Sequence, residues 1–282
     1  MITLKIKEGT KTINPFQYKD RQDIDELIIA DTVEEIGDEA FSGCSNLKRI
    51  TWGKHVHTIG REAFARCRSL KSLPLSCSVK RVGSLAFALC SGLTYVEFDD
   101  NDSMDIENGA FAFCSGLRCV FLPNGLKHIC GGTFSQCAKF EDVFVPGTVR
   151  SIGLGAFDEV AAEEIELPDS IETIDAYAFN NSKLTRIVVP DSVFTIGESA
   201  FGRCNNLRSA EIGESVVCIK RLAFAECPSL NEVTFRSAII GSIGDYIFKK
   251  CKKLKRINVP AGAMDTYKRL LPKYLHKKLV EF

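Results

Sequence analysis

Cysteine is the residue type in this chain that could support the widest range of chemistry: disulfides, metal binding or nucleophilic catalysis. Eight of the twelve cysteines stand three residues after a phenylalanine: Cys44, Cys67, Cys90, Cys114, Cys137, Cys204, Cys227 and Cys251. None belongs to a Cys-x-x-Cys pair or to a Cys/His cluster with zinc-like spacing. Five fall in consecutive repeats, so pairing of neighbours would leave one over. We predict buried free thiols, which suit a reducing compartment, in preference to disulfides or a metal site.

Acidic residues form the second group with potential chemistry, because paired carboxylates can act as general acid and base. They cluster at Glu97, Asp99, Asp100, Asp102, Asp142, Glu163, Glu164 and Glu166. Nothing in the pattern gives one of them a desolvated pocket, so we predict a solvated sheet face. His55 and His57 are too few for a metal site, and the sequence has no phosphate-binding loop or dinucleotide fingerprint. The sequence therefore predicts no enzyme activity, no catalytic residues, no metal and no cofactor.

Basic residues are concentrated near the C-terminal end of the chain. They are Lys249, Lys250, Lys252, Lys253, Lys255, Arg256, Lys268, Arg269, Lys273, Lys277 and Lys278. Contact with nucleic acid or an anionic membrane is one interpretation, but no aromatic stacking platform interleaves the run. Lys+Arg and Asp+Glu both total 36, so the overall charge does not favour a polyanionic partner. We predict a solvated end, no nucleic-acid partner and, since no apolar run is long enough, no transmembrane segment.

These residues are positioned by a repeat of 22 to 24 residues with the pattern Ile-Gly-x-x-Ala-Phe-x-x-Cys-x-x-Leu-x-x-Ile-x-Leu. Its phenylalanines are Phe41, Phe64, Phe87, Phe111, Phe134, Phe157, Phe179, Phe201, Phe224 and Phe248. Self-similarity at such a period is typical of a solenoid, in which one coil cannot bury its apolar residues without its neighbours. The sequence predicts an α/β solenoid with a curved parallel sheet on its concave face.

Each copy of the repeat divides into three parts. The alternation in Leu-x-x-Ile-x-Leu predicts a short strand with one buried face. The arm ending in Ile-Gly predicts an extended segment or a second short strand, and Ala-Phe-x-x-Cys predicts one helical or 3₁₀ turn whose phenylalanine fills the core. We predict an N-terminal cap over residues 1–23, the solenoid over 24–260 and a C-terminal helical cap over 261–282, broken near Pro272.

Two regions depart from the pattern. The repeats that start at Phe157 and Phe179 are 22 residues long. Val160 and Ser182 stand in them where the other repeats have the cysteine three residues after the phenylalanine. Between them the strand motif lacks its first leucine and keeps only Ile165 and Leu167, where we expect a local change in curvature. The inserted residues 99–104 predict a bulged loop.

Outward residues of the predicted strands supply the candidate binding site. Phe121 and Phe144 occupy equivalent positions in adjacent coils, with Tyr95 diagonally across from them. Exposed aromatic residues grouped on a concave surface suit a protein-binding hot spot. The predicted protein-binding residues are Tyr95, Glu97, Phe121, Asp142, Phe144, Glu166 and Val188. Coverage of the aromatic residues by a cap, by a loop or by a second copy in a homo-oligomer is the alternative.

The repeat resembles the BspA-like leucine-rich-repeat family, most clearly at 36–44 and at 196–204. The resemblance covers roughly residues 24–270, and the ending Val259-Pro260 followed by Tyr267 is similar to how such arrays terminate. It implies a leucine-rich-repeat horseshoe and a non-catalytic module for adhesion or protein binding at a bacterial or protist surface.

Two functions are therefore predicted, in order of preference. The first is a non-enzymatic protein–protein interaction module that binds a protein or peptide on its concave sheet. The second, implied by the resemblance, is a cell-surface adhesin. The opening MITLKIKEGTKTINPF lacks the apolar core and cleavage site of a signal peptide. As it reads, we expect a cytoplasmic protein, or a surface or secreted one if a leader was removed.

Overall fold

The computed structural model describes residues 1–76, 78–100 and 103–282. Cys77, Asn101 and Asp102, which include one predicted thiol, one acidic candidate and part of the predicted loop, lie outside the described residues. The chain divides into two compact units, Met1–Thr148 and Val149–Phe282, and each is described by itself. The predicted limits of the caps and of the solenoid stay predictions.

The first unit is a parallel β-solenoid with two columns of strands. The Leu-x-x-Ile-x-Leu segments and the N-terminus give β1 (Ile2–Lys5), β3 (Ile24–Ile28), β5 (Arg49–Thr51), β7 (Ser72–Leu75), β9 (Tyr95–Phe98), β11 (Cys119–Phe121) and β13 (Asp142–Val143). The arms give β2 (Thr12–Ile13), β4 (Glu35–Ile36), β6 (Thr58–Ile59), β8 (Arg81–Val82), β10 (Asp105–Ile106) and β12 (His128–Ile129). The first column pairs as β1-β3-β5 and β7-β9-β11-β13, and the second as β2-β4-β6-β8-β10. The predicted solenoid and its second short strand are confirmed.

The second unit repeats this arrangement. Its arms form β14 (Ser151–Ile152), β15 (Thr173–Ile174), β17 (Thr195–Ile196), β19 (Cys218–Ile219) and β21 (Ser242–Ile243). Its other column contains β16 (Arg186–Val189), β18 (Ser209–Ile212), β20 (Glu232–Phe235), β22 (Arg256–Val259) and β23 (Leu279–Glu281), paired in that order. Helix α1 (Met264–Leu270) and a 3₁₀ helix (Lys273–Lys278) flank Pro272. The strand β23, which the sequence did not predict, pairs with β22.

A column of stacked phenylalanine rings fills the core of each unit. Centroids of consecutive rings from Phe41 to Phe134 lie 5.1 to 5.8 Å apart, and those from Phe157 to Phe224 lie 5.1 to 5.3 Å apart. All of these rings are buried. Aromatic pairs at such distances contribute about 0.5–1.5 kcal/mol beyond their burial. The predicted role of the repeated phenylalanine, which is to fill the core, is confirmed.

The Ala-Phe-x-x-Cys segment forms consecutive turns whose φ angles differ from those of the predicted helical turn. The Ser42 amide donates to the Glu39 carbonyl at 3.1 Å, three residues back as in a 3₁₀ helix, but the Phe41 amide donates to Ala63 in the next coil at 2.8 Å. Glu39 and Gly43 have positive φ values of 54° and 76°. Left-handed residues interrupt a right-handed helix, and the bonds between coils satisfy the amides that a helix would pair internally.

Seven of the eight cysteines that follow a repeat phenylalanine by three residues, which we call the ladder cysteines, donate hydrogen bonds to the phenylalanine carbonyl of the preceding coil, and the eighth, Cys44, donates to the Tyr18 carbonyl. Cys90 Sγ lies 3.2 Å from the Phe64 carbonyl oxygen, and Cys227 Sγ lies 3.1 Å from that of Phe201. Burial raises the pKa of the Cys90 thiol to about 12, so the thiol stays protonated and can donate at neutral pH. The cysteines that the structure describes are free. The thiol thus fills a narrow position and links one coil to the coil before it.

Candidate functional site

Three neighbouring strands of the first unit place the aromatic candidates side by side. In the parallel sheet of β9, β11 and β13, Cys119 stands opposite both Tyr95 and Asp142, and Phe121 stands opposite Glu97. Successive residues of a strand point to opposite faces, and the residue between each of these pairs along β9 and β11 is buried. The register therefore places these predicted candidates on one surface, with their valine neighbours in the core.

Tyr95, Phe121 and Phe144 form a continuous aromatic patch. The ring centroids of Tyr95 and Phe121 are 5.8 Å apart, and those of Phe121 and Phe144 are also 5.8 Å apart and nearly parallel, at 13°. Phe121 is 44% exposed and Phe144 is 58% exposed. The rings hold one another in a fixed arrangement while leaving apolar surface open, which lowers the entropy that a partner would have to remove on binding.

Acidic groups border the aromatic patch. The pKa of Tyr95 is raised, first by partial desolvation and then by the hydrogen bond with Glu97, so the phenol donates to that carboxylate. The pKa of the Cys119 thiol is also raised, by partial burial and by the nearby charge of Asp142. Both groups are therefore neutral at physiological pH, and Glu97 and Asp142 make the border of the patch negative.

The remaining candidates, Glu166 and Val188, lie in the second unit and are described with it. They line a groove of about 420 Å³, which we call the strand-edge groove. It is lined by the stretch 164–167 with Asp169, and by Arg186, Val188, Pro190, Asp191 and Arg236. The stretch 164–167 contains no strand. The missing first leucine of the strand motif distinguishes this coil in the sequence. From it we predicted a local change in curvature and not an open groove.

Charges in the strand-edge groove are only partly paired. Arg236 forms an ion pair with Asp191. Its Nη1 atom also lies 3.3 Å from Oε1 of Glu211, and Nη2 of Arg186 lies 3.6 Å from Oε2 of the same glutamate. The Glu214 amide and then Arg236 hold the pKa of Asp191 below its usual range. Both arginines of the groove thus already have acidic partners.

The arginine side chains of the groove were not among the predicted site residues. Arg236 follows β20, and its side chain reaches back to Asp191, which is 45 residues earlier in the sequence. Such a contact crosses two coils and leaves no signal in a repeat alignment. Only the position of Arg236 directly after the strand, where most copies have Pro, Gly or an acidic residue, could have drawn attention to it.

Metal sites and membrane-spanning helices are two further features for which the described residues can be compared with known requirements. Within 1–76, 78–100 and 103–282, no group of three or more His, Cys, Asp or Glu side chains is arranged to hold a metal ion. No helix in those residues has the length and hydropathy that a membrane span requires.

The stacked coils, the parallel strands and the phenylalanine column define a leucine-rich-repeat solenoid. The sequence matches the family described as BspA type leucine-rich repeat region in six copies, over residues 11–141 and 127–255. These segments span most of the chain, so the protein belongs to the BspA-type leucine-rich-repeat family. A comparison with curated proteins found no match.

Solved structures of bacterial proteins are similar to this chain. A leucine-rich repeat protein from Bacteroides ovatus ATCC 8483 is 25% identical with a TM-score of 0.60, and the match covers 99% of this chain and 83% of that one. A leucine-rich cell surface protein from Faecalibacterium prausnitzii A2-165 is 22% identical with a TM-score of 0.52, covering 99% and 86%. The T. pallidum leucine-rich repeat protein is 24% identical with a TM-score of 0.51, covering 56% and 76%. The last two comparisons show a shared fold.

Proposed function

We propose that this protein is a non-enzymatic interaction module that binds a protein partner on the outward face of its Leu-x-x-Ile-x-Leu strands. The aromatic patch is the centre of this surface in the first unit, with Glu97 and Asp142 at its border. Glu166 and Val188 contribute in the second unit. The observation that carries the proposal is the exposure of Phe121 and Phe144 as a stacked pair on the sheet, because aromatic residues, phenylalanine included, are enriched in the cores of protein interfaces.

The chemistry of the patch indicates the kind of partner. Aromatic rings bury large apolar area and attract cations at their faces, and the carboxylates beside them favour positive charge. The partner should therefore present aromatic or aliphatic side chains together with lysine or arginine. A second copy of this chain is the competing occupant, because the same exposed rings could pack against themselves.

The test compares Phe121→Ser with Phe144→Ser, made together, against the wild type. Each purified protein is first sized by light scattering, then immobilised and used to capture partners from extracts of the source organism. A matched control carries Phe194→Ser with Phe282→Ser, two other phenylalanines that are 51% and 61% exposed. We expect a partner that the wild type and the control retain and that the patch variant loses. A wild-type dimer that the patch variant breaks, with no captured partner, would replace the proposal with self-association.

A second candidate, a surface-exposed binding protein, has separate support. The similar Faecalibacterium prausnitzii structure is described as a leucine-rich cell surface protein, and we transfer that location only as a proposal. Protease treatment of intact cells of the source organism tests it. Loss of the protein from intact cells, while a cytoplasmic marker survives, would support the surface location, and equal survival of both would contradict it.

A further inference from the structure

The strand-edge groove arises where the ladder of parallel strands is interrupted in the second unit. The Thr185 amide donates to the Glu163 carbonyl at 2.8 Å. Beyond that bond, and among the residues that the structure describes, no ladder or backbone hydrogen bond connects 164–167 with β16. By contrast, β16 pairs with β18 over four residues, from Arg186 opposite Ser209 to Val189 opposite Ile212. One edge of β16 is therefore paired with a neighbour, and on the other side the unpaired stretch 164–167 lines the groove together with Arg186 and Val188 of β16.

An open strand edge presents unpaired backbone groups, which makes it a template for another extended chain. The groove volume of about 420 Å³ falls in the range typical of ligand sites, roughly 300–1,000 Å³. It suits a short extended stretch of peptide and not a folded domain. Among the residues that the structure describes, the edge of β7 is also unpaired on the side of β5, but β7 contains Pro74, which cannot donate from its nitrogen. Arg186–Val189 contains no proline.

The acidic side chains that line the groove indicate which kind of peptide it would bind. Glu164, Glu166 and Asp169 line it, and no ion pair is found for these three side chains within the described residues. The two arginines of the groove are already paired with Asp191 and Glu211. The unneutralised charge is therefore negative. The apolar contributions of Ile165 and Val188 to the walls favour alternating basic and apolar residues, because alternate side chains of an extended peptide point in opposite directions.

We propose that the strand-edge groove binds an extended basic peptide, which pairs its backbone with the open edge of β16 and places lysine or arginine beside Glu164 and Glu166. The peptide belongs to a partner protein. The inference deepens the proposed function, because Glu166 and Val188 belong to the proposed binding surface, but it names a binding mode that does not use the aromatic patch.

The test uses the full chain and a fluorescent hexapeptide of alternating lysine and valine, measured by anisotropy. We expect saturable binding that weakens as salt is added. Two control peptides separate the two contributions. Replacement of every lysine by glutamate should abolish binding, and N-methylation of alternate amides, which removes backbone donors but keeps the charge, should weaken it at least tenfold.

Protein variants locate the site. Glu164→Gln with Glu166→Gln should weaken binding of the hexapeptide at least tenfold, whereas Glu8→Gln with Glu35→Gln, which removes two exposed charges outside the proposed binding surface, should leave it unchanged. The variant Phe121→Ser with Phe144→Ser should also bind normally, so failure of the groove and failure of the patch are distinguishable.

Three results would overturn the inference. They are no binding of the lysine–valine peptide by the wild type, equal binding of the N-methylated peptide, and equal loss in both charge variants. The N-methylated peptide is tested on the wild type, so that arm decides the question even if a charge variant does not fold.

Discussion

The outward strand surface of the first unit and that of the second unit are built from the same repeat but offer different groups to a partner. At β9, β11 and β13 the ladder is continuous, and only side chains are available. At β16 the neighbouring stretch 164–167 forms no strand, and backbone groups become available too. We therefore propose two modes of recognition for this solenoid. One depends on which side chains occupy the outward positions, and the other depends on whether a coil completes its strand.

The largest effect should come from the core that both units share. Phe111→Ala in the first unit and Phe201→Ala in the second should each lower the free energy of unfolding by about 3–5 kcal/mol, because each leaves a cavity in a column of stacked rings. Denaturant unfolding followed by circular dichroism measures this. The controls Phe121→Ala and Phe194→Ala change exposed rings and should alter stability by about 0.5 kcal/mol or less. A large loss in only one unit would show that the two cores are not equivalent.

Hydrogen exchange should separate the open edge from the closed ladder. The N–H groups of a strand alternate in direction, so the amides of β16 that point away from β18 should exchange roughly a hundredfold faster than those of β18, which is paired on both sides. Residue-resolved exchange by NMR measures the difference. Uniform protection along β16 would mean that the ladder is closed in solution, and the comparison between the two units would fail.

A smaller effect should appear in the pH dependence of the second unit. Partial burial, and then the charge of Glu159, raise the pKa of Asp158 to about 6. Since the unfolded chain releases this proton at lower pH, the associated stability is fully present below the usual aspartate pKa and is lost as pH rises through 6. After allowance for partial exposure, the free energy of unfolding of the Asp158→Asn variant should exceed that of the wild type by about 1 kcal/mol at pH 8. At pH 4 the two should differ little.

Unfolding free energies of the Asp158→Asn variant and the wild type at both pH values measure this difference. Asp175→Asn, which changes an exposed aspartate in the next coil, is the control and should run parallel to the wild type. If the unfolding free energies of the Asp158→Asn variant and the wild type differ by the same amount at pH 8 and at pH 4, the prediction is contradicted.

The smallest effect should come from the aromatic patch. Phe121→Ser with Phe144→Ser should change the free energy of unfolding by about 0.5 kcal/mol or less in total, because both rings lie on the exposed face of the sheet. Thermal unfolding checks this before any binding experiment is interpreted. A loss of several kcal/mol would show that the two rings belong to the core and would remove the basis for the proposed binding surface.

Much of the fold could be predicted because each coil repeats the same local demands. The spacing of Leu47, Ile50 and their equivalents predicts a strand with one buried face, and the fixed position of Phe41 and its equivalents predicts a ring in every coil. The turn could be predicted only in part. The glycines Gly109, Gly132 and Gly155 signal a left-handed conformation at this position of the repeat. Glu39 and Glu62 adopt the same conformation without such a signal, because bonds between coils impose it on residues that do not favour it.

The candidate site could be predicted unevenly for a similar reason. Tyr95, Phe121 and Phe144 come together because equal positions in consecutive repeats must stack, so their proximity follows from the alignment. The groove depends on whether 164–167 pairs with β16, and the pairing of Arg236 with Asp191 depends on a side chain that crosses two coils. Neither is a property of a single repeat.

The sequence by itself determined the solenoid, its phenylalanine column and the residues that face outward, because a period of 22 to 24 residues leaves one efficient way to bury the apolar positions. Only the tertiary structure decided where the ladder stays open and which charges are neutralised. Hydrogen bonds and ion pairs between coils depend on the path of the backbone to within a fraction of an ångström, and a pattern of residue types does not specify that path.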